Sequence, residues 1–187
     1  MKPLPEHWPK VWIVSDARSD AMLDRALKKV PRGSGLIFRH YHLPMGERRA
    51  RFAVLKRLAH ARGHLAAWSG SVAEARLLGA DAAYGSGKAL GRGSGVPRLV
   101  TVHSLRELAR SRRADAVLLS PVFATRSHPG AATLGPLRFR LIAARAQAPV
   151  IALGGMNAKA ARRLKWPTWA AIDAFCGKAT RPKSADS

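Results

Sequence analysis

Cysteine occurs once in this chain of 187 residues, at Cys176, so no internal disulfide can form and no group of thiolates can hold a metal. That thiol reads as a small apolar side chain near the chain end. Acidic residues are scarce as well, with 11 Asp and Glu against 33 Lys and Arg, which leaves few carboxylates for metal ligation or acid–base work. Long apolar runs are missing: none approaches the roughly 20 residues that cross a bilayer. The segment Met1 to Lys10 carries Pro3, Pro5 and Pro9 in place of an apolar signal core. These absences predict a soluble, cytoplasmic chain with no membrane partner.

The same imbalance of charge gives a formal net charge of +22, which favours weak binding to any polyanion. Nucleic acid is therefore weighed as a partner. The sequence has no paired Cys and His of a zinc finger, no basic region running into heptads and no glycine-aromatic strand signature. Its Lys and Arg are scattered singly over nearly every segment, for example along Glu47 to Arg62 and Ser104 to Arg113. A solvated, Arg-rich surface accounts for that distribution, and small phosphorylated molecules are the expected partners.

What is present is a hydrophobic content of 47%, enough for one substantial core but cramped for two. One domain over residues 1–178 is expected, with 179–187 as a frayed tail. Short apolar, β-branched runs alternate with helical stretches, the pattern of parallel strands and crossover helices. Eight such runs fall at residues 11–14, 36–38, 64–67, 82–84, 99–102, 116–119, 150–153 and 171–174. Helix patterns sit between them: Met22, Leu23, Ala26 and Leu27 after a cap at Ser19, and Leu105 and Leu108 after a cap at Ser104 with Glu107 in the capping-box position. A further helix is marked by Leu137, Leu141 and Ile142. The five glycines of Gly85 to Gly95 predict a loop in place of the fourth helix. Eight strands favour a compact α/β fold, a (β/α)8 TIM barrel, over an open flavodoxin-like sheet with fewer strands.

In such a barrel the loops after the strands build the active site, and the last βα loops often bind phosphate. The seventh run leads into Gly154-Gly155, where the backbone can approach a ligand and the following helix start offers N–H groups to an anion. After the sixth run come Thr125, Arg126, Ser127 and His128, which together offer hydroxyl, guanidinium and imidazole donors for phosphate oxygens.

The stretches SPVFATRSHPGAATLG and APVIALGGMNAKAARRL resemble the GPVFxTxTKPGxxxLG and PVxAIGGI blocks of the thiamine-phosphate synthase and TenI family. VTVHSLREL resembles its SxHxxxE strand and helix, so the likeness runs from about Arg98 to Leu164. The resemblance implies phosphate binding by Thr125, Ser127, Gly154 and Gly155. It implies catalytic places for His128 and Thr101 and substrate-binding places for Arg39 and His103. The family couples hydroxymethylpyrimidine diphosphate to thiazole phosphate with Mg²⁺. Its TenI branch includes proteins that bind or isomerise a thiazole phosphate without that reaction.

The first half departs from the family pattern. QxREK reads Ile37-Phe38-Arg39-His40-Tyr41, NDR reads Ser69-Gly70-Ser71, and HLGQxDLP reads Tyr84 through Leu90. Both metal-binding aspartates of the family are missing, so no metal ligands are assigned and Mg²⁺ is expected only with synthase activity. Asp16 is the one carboxylate at the rim, Asp81 is read as structural, and Pro121 stands where TenI proteins carry a histidine.

Overall fold

The computed structural model describes residues 8–125, 130, 132–172 and 174–175. Eight parallel strands close into a barrel in chain order. They are β1 (Val11–Val14), β2 (Gly35–Phe38), β3 (Leu65–Ser69), β4 (Ala82–Gly85), β5 (Arg98–Val102), β6 (Ala116–Leu119), β7 (Val150–Ala152) and β8 (Trp169–Ala171). Closure comes from the pairing of β1 with both β2 and β8. Helices α1 (Asp20–Lys29), α2 (Met45–His60), α3 (Val72–Leu77), α4 (Gly87–Leu90), α5 (Leu105–Ala109), α6 (Gly135–Ala143) and α7 (Ala158–Leu164) form the outer layer. This is the (β/α)8 barrel that the strand count predicts.

Alternation along each strand divides the apolar side chains into two cores. One, inside the barrel, contains Trp12, Val14, Ile37, Tyr84, Leu99 and Ile151; the other fills the space between strands and helices. Trp12 is the largest interior residue, and its partners in register are Gly35 on one side and Ala170 on the other. A Cβ at Gly35 would stand 2.2 Å from the Trp12 ring, so the indole occupies the volume its neighbour gives up. In the outer core Phe38, Phe52 and Trp68 meet with ring centroids 5.2 to 5.8 Å apart.

Several sequence expectations need correction. The last strand lies at Trp169–Ala171, two residues earlier than the apolar run suggested, because Trp169 and Ala171 face the outer core while Ala170 faces inward. The glycine-rich stretch holds a one-turn helix, α4, capped by Ser86, whose side chain accepts from Ala89 N–H. Ser19 does not cap α1. Asp16 instead caps a 3₁₀ turn at Ala17–Ser19 that runs into it. On α6 the buried face is Phe139, Ile142 and Ala143, whereas Leu137 and Leu141 are exposed. The cap at Ser104 is present and accepts from Glu107 N–H. Among the described residues no helix is long and apolar enough to cross a membrane. The expected tail at 179–187 lies outside the described residues.

Candidate functional site

The inward alternation at and just past the strand ends brings Asp16, Arg39, Ser69, Thr101, His103, Ser120 and Leu153 to the C-terminal mouth of the barrel. Two groups form there, one over β6–β7 and one over β1–β5.

The β6–β7 group is built mainly from backbone. Val122 N–H donates to Leu153 O at 2.9 Å and Phe123 N–H to Gly154 O at 3.1 Å, so the two loops are laced together. Gly154 and Gly155 have φ of +92° and +62°, a region that favours glycine. A Cβ at Gly154 would lie 2.7 Å from Pro121 Cα, and one at Gly155 would lie 2.5 Å from Ala124 O. Both glycines are therefore required by the turn and by the close approach of the β6 loop. Neither gives its N–H to a backbone carbonyl among the described residues. Thr125, Gly154 and Gly155 line one cavity of about 280 Å³, with Leu153, Asn157 and Ile172 on its other sides. Three of the four expected phosphate-binding residues are thus together. The fourth, Ser127, and the expected catalytic His128 lie outside the described residues.

The β1–β5 group is built from side chains. Arg39 leaves the end of β2 with one terminal nitrogen 3.6 Å from Asp16 Oδ2. Its backbone N–H donates to Ser15 Oγ at 2.7 Å, and Ser15 Oγ lies 2.8 Å from His40 Nδ1. The Tyr84 hydroxyl, rising from inside the barrel, makes polar contacts with the side chains of Thr101 and Arg39. Burial pushes this phenol above its ordinary pKa, so it stays protonated. Arg39 and Thr101, far apart in sequence, are linked through it. The sequence reading gave Tyr84 no such role; its place one residue before the end of an interior strand is the signal that could have found it.

His103 is exposed, and its Nδ1 lies 2.9 Å from the Ser120 carbonyl while its backbone N–H donates to Glu107 Oε2 at 2.9 Å. A ring nitrogen facing a carbonyl carries a proton. His103 borders the mouth beside β6 but has no described contact with Arg39 or Thr101. Asp81, read as structural, accepts from Ala66 N–H at 2.7 Å and sits 2.8 Å from His60 Nε2. It ties α2 to β3 and contributes nothing to the mouth.

The donor set for a divalent cation is poor. Asp16 is held by the Arg18 side chain at 2.8 Å and by its backbone N–H at 3.1 Å, and these bonds, with Arg39 nearby, keep its carboxyl below the ordinary range. Gly70 stands where the family motif has aspartate, and a Cβ there would lie 2.6 Å from both Glu74 Oε2 and Trp68 Nε1. Glu74 cannot substitute, because Oε2 accepts from the backbone N–H and hydroxyl of Ser71. Behind these positions Arg48 donates to the carbonyls of Arg39 and Ser69, at 2.8 and 2.5 Å. Its guanidinium lies 4.0 Å from the Trp68 ring centroid and 5.0 Å from that of Tyr41. No cluster of three metal-ligating side chains occurs among the described residues. The residues present do not fit Mg²⁺.

Residues 95–172 match the family model described as thiamine monophosphate synthase. A search of the curated proteins found no match. Among solved structures, a thiamine phosphate pyrophosphorylase from Pyrococcus furiosus is similar with TM-score 0.75 and 24% identity, over 90% of this chain and 87% of that one. A thiamine phosphate pyrophosphorylase from Bacteroides thetaiotaomicron aligns with TM-score 0.64 and 14% identity, over 95% and 89%. FabK from Thermotoga maritima reaches TM-score 0.69 at 16% identity, over 89% of this chain and 58% of that one. At these identities the structural likeness shows the barrel, and the family model matches residues 95–172 alone.

Proposed function

We propose that this chain, a member of the thiamine monophosphate synthase and TenI family by residues 95–172, binds a thiazole phosphate of thiamine biosynthesis at the β6–β7 end of its mouth. The observation that carries the reading is the meeting of Thr125, Gly154 and Gly155 around one cavity. A hydroxyl and two backbone N–H groups at glycine turns suit phosphate oxygens, which accept several short hydrogen bonds at once. Ser127 adds a second hydroxyl in this reading, and His128 and Thr101 are its proton-handling and orienting groups. Arg39 and His103 face the second substrate.

The family's transferase reaction joins hydroxymethylpyrimidine diphosphate to that phosphate and releases pyrophosphate. A second reading, a TenI-like protein that binds or isomerises the thiazole phosphate, is favoured by one specific observation. The position of the family aspartate, Gly70, is closed by Trp68 and Glu74.

The test is an assay for thiamine phosphate from both substrates and Mg²⁺, paired with calorimetric titration of thiazole phosphate. Binding that weakens roughly tenfold in Thr125→Val supports the site; product formation assigns the synthase, and binding without product assigns the TenI-like role. Absence of thiazole-phosphate binding overturns both.

A further inference from the structure

We infer that the β1–β5 side of the mouth binds an anionic group of the ligand directly, through Arg39, with no divalent cation between protein and phosphate. This rests on the reading that the mouth takes phosphorylated ligands, and it concerns the half of the mouth opposite the β6–β7 cavity.

The argument is one of charge and of occupied donors. A Mg²⁺ site needs oxygen ligands, carboxylates above all, that are free to face the ion. The side chains and carbonyls that could offer oxygen near the ends of β1, β2 and β3 already carry cationic or hydrogen-bond partners. Asp16 is held by Arg18 and approached by Arg39. Glu74 closes the capping box of α3, and the carbonyls of Arg39 and Ser69 receive the Arg48 guanidinium. The Tyr41 hydroxyl is bonded to Ser69 Oγ. Around Asp16 and Glu74 the balance is positive: the guanidinium groups of Arg18, Arg39 and Arg48 stand against one carboxylate already paired and one at a helix start, and Asp20, beside His40, is taken by Arg51. A dication entering there meets net repulsion, while a phosphate meets attraction from charges partly withdrawn from water.

Arg39 is the group able to use that field. Its side chain is 21% exposed, so it reaches the mouth while most of its length is covered. Its backbone is pinned by Ser15 Oγ. Its Nε is buried with no hydrogen-bond partner, and the contact to Asp16, at 3.6 Å, is longer than a charge-assisted hydrogen bond. A planar fork held from behind by Tyr84 and only loosely by Asp16 suits a phosphate oxygen pair. Arg48, stacked between Trp68 and Tyr41, has no such freedom and acts as a positioning residue for the carbonyl ends of β2 and β3.

The experiment is calorimetric titration of the full chain with inorganic pyrophosphate at about 150 mM KCl, where exposed surface charge is largely screened. It is run once in EDTA and once in millimolar Mg²⁺. The expected dissociation constants agree within about threefold, or are weaker with Mg²⁺, since the free cation neutralises the probe. Arg39→Gln is expected to weaken binding at least roughly tenfold, Arg39→Lys less, and exposed Arg106→Gln not at all. Circular dichroism of each variant verifies folding. Mn²⁺ paramagnetic resonance with pyrophosphate present is expected to show only free ion.

Binding that appears only with Mg²⁺, protein-bound Mn²⁺, an Arg39→Gln affinity equal to the parent, or no pyrophosphate binding would each overturn the inference. Thiazole-phosphate binding measured in Thr125→Val is independent of Arg39. Failure here therefore leaves the reading of the β6–β7 cavity to stand or fall by its own test.

Discussion

Around the barrel β1 and β2 are followed by helices of ten and sixteen residues, α1 and α2, whereas α3 to α7 have between four and nine. The mouth has its own division, between β1–β5 and β6–β7. Over β1–β5 it is assembled from side chains: Arg48 between two aromatic rings, Arg39 between Asp16 and Tyr84, Ser15 against His40. Over β6–β7 it is assembled from backbone, with two loops laced by main-chain hydrogen bonds and turned by glycines at positive φ. A site of side chains can change its chemistry by exchanging them while the strands stay put. A site of backbone depends on the few residues that can adopt its turns, and the match to the family model, over residues 95–172, includes that part.

The largest expected difference concerns side-chain packing in the first half. Trp12 fills the barrel interior beside Gly35 and Ala170, and removing it leaves a void that eight closed strands cannot collapse into. Trp12→Ala is expected to cost about 3–5 kcal/mol in urea denaturation. A cost below about 2 kcal/mol would mean that the interior repacks easily and that the contrast between halves is overstated.

Glycines sharpen the contrast, because the same substitution is expected to change sign between halves. Gly155→Ala forces a Cβ against Ala124 O at positive φ, a combined strain of about 1–3 kcal/mol, and should weaken thiazole-phosphate binding. Gly46, in the first turn of α2, has nothing within 4 Å of an added Cβ and no left-handed φ. Gly46→Ala should stabilise by about 0.4–1 kcal/mol through the unfolded chain. Thermal melts of the two variants moving in the same direction would break the argument.

The barrel was legible because alternating short apolar runs, turns and helix patterns have few other closures. Ser104 with Glu107 and Gly154-Gly155 were legible because their chemistry is local: a cap needs an acceptor, and a turn at positive φ needs glycine. The eighth strand lies two residues before the expected run because only three residues, Trp169-Ala170-Ala171, pair in the barrel, too short a stretch for its alternation to stand out in the sequence. Leu137 and Leu141 mark a helix but are exposed, because periodicity alone does not tell which face of a nine-residue helix carries Phe139 to the core. The roles of Arg48 and Tyr84 depend on partners 20 or more positions away, Ser69 and Arg39, which no local pattern joins.

The smallest effect expected is a pH dependence confined to the first half. His64 is buried, with Nδ1 accepting from Ser34 N–H at 3.0 Å and Nε2 facing the Leu27 carbonyl at 2.9 Å. A proton on Nδ1 would oppose the Ser34 N–H, and burial holds the imidazole below its ordinary pKa. Burial lowers His40 likewise, against the raising effect of Asp20. In the unfolded chain both rings take up a proton as pH falls through about 6.5, while in the folded barrel they resist it. The unfolded state then binds more protons, so stability is complete above about pH 6.5 and falls as pH drops from there toward the folded-state values. The melting temperature should therefore be flat from about pH 8 to 7 and decline below about 6.5. The decline should be shallower in His64→Gln, whose amide can accept and donate in the same places without titrating. Hydrogen exchange at mildly acid pH should rise in β2 and β3 before β6 and β7, and simultaneous loss of protection in all four would dissolve the distinction between the halves.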